Sequence, residues 1–295
     1  MSLLLEHWTL DPFLILVLAI AALHATGLHR LNRRSRPDRA ASRRRRAGWF
    51  YLGLAVLLVA VMSPIDYWAG RYFWVHMIQH LLLMFGAPVP IVAGAPWLPL
   101  TFGLPVRLRR YLGRGFLLAS WSAPIRLVGR TLLRPWVAVG LFNVVMVLWH
   151  LPGPFDLAER NQAVHIWLMH GSFFAAGVLF WLQFIESRPL RVRLSPVAQL
   201  GALFLTNGVM WFLAMALGLF ATGSWYVVYD HVPGVTLPPL ADQQLGAAIL
   251  WVCGDFWCLP AVIAAVRRLQ EQEDGFDGLL ERIVRRPAVP SRDGL

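Results

Sequence analysis

The sequence predicts an all-α fold, a polytopic transmembrane helix bundle of seven spans with the N-terminus outside and the C-terminus in the cytoplasm. Three observations predict it. The chain of 295 residues is 57% hydrophobic and only 15% charged, with a mean hydropathy of +0.55; soluble domains carry about 25% charged and about 45–50% apolar residues. Its apolar runs approach or exceed the ~20 residues that cross a bilayer as a helix. Its 27 basic residues are all arginine and fall in blocks between those runs. This composition excludes a soluble enzyme, a disordered chain and a disulfide scaffold. It also argues against a nucleic-acid partner despite the net charge of +11; the medium it contacts is membrane lipid.

The spans read in order as Pro12–Leu31, Ala47–Met62, Phe73–Ala93, Pro135–Leu151, Ala163–Ile185, Pro196–Ala221 and Gln244–Val266. Helices are the economical reading, because a spanning chain must satisfy its own backbone hydrogen bonds. The runs are too long and too evenly apolar for barrel strands. The first run opens after Asp11-Pro12 with no basic region ahead of it, and reads as a mature span instead of a signal peptide. The segment 105–134 mixes Phe, Leu and Trp with arginine and reads as interfacial helix on the inner leaflet. Residues 1–268 are expected to form the transmembrane domain. Residues 269–295, mixed in charge and ending Pro-rich, are expected to form a fraying cytoplasmic tail.

Orientation follows from arginine. Nine lie between the first two spans (Arg30 to Arg46), seven between the third and fourth (Arg107 to Arg134), three between the fifth and sixth, and six after the seventh. Only Arg71 and Arg160 fall in the other connections. This positive-inside split sets the N-terminus outside. Tryptophans near the span ends, such as Trp49, Trp136 and Trp225, read as belt anchors.

With that topology, five histidines from three helices sit in the outer half of one bundle. His76 and His80 are spaced i, i+4 on the third span, which puts both rings on one face, a usual metal-ligand spacing. His150 ends the fourth span, and His165 and His170 lie on the fifth. The last two are five apart, about 140° around an ordinary helix, so an undistorted helix turns only one of them toward a shared centre. The pairs His80/Met84, Met146/His150 and His165/Met169 place a thioether one turn deeper than an imidazole each time, and Met77 adjoins His76. Imidazole over thioether suits a soft monovalent ion, Cu(I). The plainer alternative is that each histidine is hydrogen-bonded packing and each methionine filler.

Asp255 lies inside the seventh span, where a carboxylate needs a partner or a proton; a structural bond to Asn207 is the plain alternative to function. Asp242 reads equally well as an N-cap. Cys253 is a candidate soft ligand, Cys258 a weaker one. The two are five apart on a helix and point in different directions, so no disulfide is expected. No phosphate loop, nucleophile elbow, dinucleotide fingerprint or CxxCH haem-attachment motif is present, and no enzymatic activity is expected.

The runs Ser63-Pro64, His76-Met77-Ile78-Gln79-His80, Gly94-Ala95-Pro96, Trp149-His150-Leu151-Pro152, His165 through His170 and Asp242-Gln243-Gln244-Leu245-Gly246 resemble the CtaG-like membrane family, associated with assembly of haem–copper cytochrome c oxidase. The resemblance covers roughly Ser63–Val266, with Ala247 where a second glycine is common. It is not a resemblance to the single-span copper chaperone that shares the CtaG name. It implies a maturation factor of the bacterial inner membrane, partnered with oxidase subunits and acting in delivery or insertion of copper. Gln79 belongs with the site through its motif. Two alternatives stay open: a haem-bearing electron carrier with two axial histidines, and a metal-free scaffold for an oxidase subunit.

Overall fold

The structure, a computed structural model, describes residues 6–33 and 35–284. Among the described residues every extended element is helical, and the only strand-like pairing is an isolated bridge between Ser187 and Leu190. Six helices are long and apolar enough to cross a membrane: Phe13–Asn32, Pro37–Met62, Phe73–Gly94, Val164–Trp181, Pro196–Gly218 and Pro239–Gln272. The expected fourth span is shorter, a helix of 16 residues, Pro135–His150, which rises about 24 Å. It joins the preceding segment, Ser120–Leu132, at an angle of 79°, and the count is seven if that bent pair is one span.

Helix α1 (Phe13–Asn32) packs on α2 (Pro37–Met62) and on α6 (Trp97–Gly103). Its Arg30 closes α6 by donating from Nη1 to the carbonyls of Phe102, Gly103 and Leu104 at 2.9–3.1 Å, which satisfies acceptors a helix end otherwise leaves open. Helix α2 starts ten residues before the expected span because Pro37 occupies its first turn with Asp38 behind it; arginine is a good helix former and carries the helix out past the apolar run. The short α3 (Pro64–Ala69) follows, capped by the Ser63 hydroxyl, which accepts from Ile65 N–H.

The third span is α4 (Phe73–Leu81), a π-turn (Leu82–Gly86) and α5 (Pro88–Gly94). Pro88 and Pro90 bring no N–H to the ladder, and Ala87 N–H donates five residues back to Leu82, 2.8 Å. The Met84 carbonyl in that turn accepts from the Trp181 indole at 3.2 Å. A Cβ at Gly177 would stand 2.6 Å from the same oxygen, so the close approach of the fifth span to the third requires glycine there.

The expected interfacial segment is two helices, α7 (Val106–Leu118) and α8 (Ala123–Leu132), linked by a 3₁₀ turn at Ser120–Ser122. No residue of α8 is buried against the rest of the bundle. Helices α9 (Pro135–His150) and α10 (Pro152–Arg160) lead to a second π-segment (Val164–His170) that continues as α11 (Gly171–Trp181). Helix α12 (Pro196–Gly218) packs along α13 (Pro239–Val284). Helix α13 runs without a break through the expected 268/269 boundary to Val284, on a Gln- and Glu-rich stretch of good helix formers. Residues 285–295 of the expected tail lie outside the described residues.

Candidate metal centre

The centre is built on α4, whose N-terminus is held from 169 residues away. Asp242 accepts from Phe73 N–H at 2.7 Å (Oδ2) and from Trp74 N–H at 3.0 Å (Oδ1). Asp242 was expected to cap its own helix; it caps α4 instead, because α13 has already begun at Pro239. Its neighbours complete the clamp. Gln243 donates to the Leu217 carbonyl (2.8 Å) and accepts from Trp225 N–H (2.7 Å), and Gln244 donates to the Gly218 carbonyl. A Cβ at Gly246 would lie 2.6 Å from the Phe73 ring and 3.0 Å from Met77 Cγ. The Asp-Gln-Gln-Leu-Gly run is therefore the bracket of the histidine helix. Gln79 fixes the other side of α4, donating to the Ala60 carbonyl (2.9 Å) and Asp66 Oδ1 (2.8 Å).

His76 and His80 are buried with ring centres 4.3 Å apart. His76 Nδ1 lies 2.9 Å from the Tyr229 hydroxyl. That hydroxyl donates its proton to the Ala69 carbonyl at 2.8 Å, so it accepts from His76 Nδ1–H. Burial and then the Glu159 and Asp242 carboxylates push the Tyr229 phenol well above its usual range, which keeps that proton in place. His76 Nε2 is left as a bare lone pair, buried and without a hydrogen-bond partner. Orienting one nitrogen so that the other faces a metal is the usual second-sphere arrangement.

His165 and His170 do converge, contrary to the expectation for an ordinary helix. The segment Val164–His170 is π-helical, and an i→i+5 ladder brings residues five apart onto one side. Their ring centres are 4.2 Å apart. One ring nitrogen from each of His76, His165 and His170 lies within 4.8 Å of the others. Glu159 Oε1 sits 2.7 Å from His165 Nδ1 and 3.6 Å from His76 Nδ1, a carboxylate shared between two of the rings. His170, the least expected member, is in the tightest group.

His150 belongs to the same chain of rings, 5.4 Å from His80. Its Nδ1–H donates to the Met146 carbonyl at 2.6 Å, and its Nε2 faces Met77 Sδ at 3.2 Å. Met77 thus brings sulfur to the cluster. Met84 and Met169 are buried, and their polar contacts run through their carbonyls, to Trp181 and Ser172. Phe155 and Phe173 pack on the imidazoles. Five buried nitrogens of His76, His80 and His170 have no hydrogen-bond partner among the described residues, each at a cost of about 1–3 kcal/mol.

Asp255 is elsewhere. It accepts from Asn207 Nδ2 and, at 3.1 Å, from Trp211 Nε1 on the seam of α12 and α13, with no histidine among its described partners. Cys253 and Cys258 are free thiols on the same helix, as expected. His24 is buried near the other end of the bundle, 3.0 Å from the Tyr51 hydroxyl. Sequence reasoning passed over Glu159 and Tyr229. The only signal for Glu159 was an acidic turn, Asp156 to Glu159, right after His150-Leu151-Pro152; for Tyr229 there was none.

A family described as cytochrome c oxidase caa3 assembly factor matches residues 22–272. Uncharacterized proteins of Mycobacterium bovis and Mycobacterium tuberculosis are each 28% identical over 253 residues, covering 79% of this chain and 36% of their own length. The chain thus spans about a third of those curated relatives. No solved structure matches it.

Proposed function

The chain belongs to the family of cytochrome c oxidase caa3 assembly factors and is a multi-pass bacterial membrane protein; from that premise we propose that it carries copper, as Cu(I), in its histidine cluster and delivers it to an oxidase subunit. The observation that carries this reading is the meeting of His76, His165 and His170 within 4.8 Å, with Tyr229 and Glu159 fixing two of the rings. Neutral imidazoles with one nearby carboxylate balance a single positive charge in a dry site, and the Met77 sulfur adds softness. These residues fit a cuprous ion as cargo. The chain binds, orients and releases; no residue is asked to make or break a bond. The arginine split supports placing this end of the bundle outside.

A haem needs a planar slot between two axial imidazoles, whereas these rings pack edge to face against each other and tilted against phenylalanine. That supports an ion over a haem. A metal-free scaffold leaves the unpartnered nitrogens without a purpose.

The test is the double variant His76→Leu/His80→Leu in a deletion strain. Leucine removes four buried ring nitrogens, three of them without a partner among the described residues, at the loss of one hydrogen bond to Tyr229, so membrane abundance should stay near the wild-type level. Oxidase copper and activity should fall to the level of the deletion strain. Full oxidase activity with this variant removes the metal centre from the reading.

A further inference from the structure

The cluster is not one ligand set. We propose that it is two sets sharing His80, an entry set at the rim and a thioether-bearing set in the dry interior, and that a cuprous ion passes from the first to the second. This rests on the copper reading above.

The entry set is His165, His170 and His76 beside Glu159. Its rim is the part exposed at the surface of the bundle: the His165 side chain is 17% exposed and that of Glu159 10%, while His76 is 0% exposed. The carboxylate there attracts a cation and offsets its charge as water is stripped away. The interior set is His150 and Met77, both buried. His150 Nδ1–H is committed to the Met146 carbonyl, so Nε2 presents a lone pair to Met77 Sδ at 3.2 Å. Two lone-pair donors that face each other with no proton between them gain most from a cation, and nitrogen with thioether selects a soft one. His80 stands between the sets, its ring 4.3 Å from that of His76 and 5.4 Å from that of His150. Neither of its nitrogens has a hydrogen-bond partner among the described residues, so nothing ties the ring to either side.

Transfer is ligand exchange. One imidazole lone pair leaves the ion as another arrives, through His80, and finally the Met77 thioether joins. The ion stays cuprous throughout, and no electron moves. The polarity is built in, from a charged, partly exposed rim to a neutral, buried, softer end.

The experiment loads the full-length protein in detergent with one equivalent of Cu(I) under anaerobic conditions and reads the copper shell by X-ray absorption. A sulfur neighbour is expected in the wild type. It should vanish in Met77→Leu, which should still hold one equivalent at least about 10-fold more weakly, and persist in Met84→Leu and Met169→Leu. His150→Gln should repeat the sulfur loss from the other side of the pair. In His165→Gln the final sulfur-bearing shell should form, but loading from a chromophoric Cu(I) chelate should slow at least about 10-fold. An all-nitrogen shell in the wild type, or sulfur lost with Met84 or Met169 instead of Met77, overturns the two-set path while tight copper binding leaves the cargo reading standing. Absence of Cu(I) binding in the wild type overturns both.

Discussion

Two places in this bundle put polar side chains inside apolar helices, and they end differently. On the α12–α13 seam, Asp255 is met by Asn207 and Trp211, both donating to the same oxygen. Around α4, three helical segments bring five imidazoles together, and five of the buried nitrogens have no hydrogen-bond partner among the described residues. The seam meets its carboxylate with donors from its own residues, as structural polar groups in membranes do, and leaves one amide oxygen, Asn207 Oδ1, without a partner among the described residues. The cluster hydrogen-bonds one nitrogen of His76 and one of His150 and leaves five ring nitrogens of His76, His80 and His170 without such a partner. Position in a membrane does not separate the two places; the number of unpartnered nitrogens gathered in one pocket does.

The comparison can be broken or sharpened by three substitutions. The largest effect belongs to Glu159→Gln. Glutamine keeps the shape but carries no charge, so loading of Cu(I) from a competing chelate should slow about 10- to 100-fold. An unchanged loading rate would show that Glu159 is a packing residue, like those of the seam. Next is Asp242→Ala, which strips the cap from α4 and leaves two N–H groups open. Stability in detergent should drop by about 1 kcal/mol, seen as a lower thermal midpoint, with copper stoichiometry kept in the fraction that remains folded. The smallest is Asp255→Asn. Its amide oxygen accepts the same two donors, so stability should change by no more than about 0.5 kcal/mol and oxidase copper should be unchanged. Oxidase failure with this variant at normal abundance would move the seam into the functional half of the comparison.

The spans and the histidine face of α4 were legible because they rest on local rules: run length, arginine placement and i, i+4 spacing. The i, i+5 pair was legible only as a conflict. Periodicity argues from an ideal helix, and the π-segment Val164–His170 is a departure from it that no residue in the segment announces. The Asp-Gln-Gln run was found, but its partner was not, since a cap reaching 169 residues leaves no local trace. Tyr229 lies on a 3₁₀ turn in a long loop and reaches His76 by tertiary folding alone. Glu159 stands in a short connection with no motif around it, and only the folding back of α10 brings its last turn over the cluster. The depth layering of methionine below histidine was half useful: Met77, the residue outside the i, i+4 pattern, is the one whose sulfur arrives.

The reach of Asp242 also sets an order in time. The histidine helix leaves the ribosome early, but the carboxylate that closes its first turn is made 169 residues later, about ten to thirty seconds afterwards at bacterial elongation rates. Until then the amides of Phe73 and Trp74 lack their partner and Gly246 has not yet seated against the Phe73 ring. The histidine cluster is thus finished only when the last span arrives, and on the copper reading proposed above a truncated or stalled chain would be a poor trap for free copper.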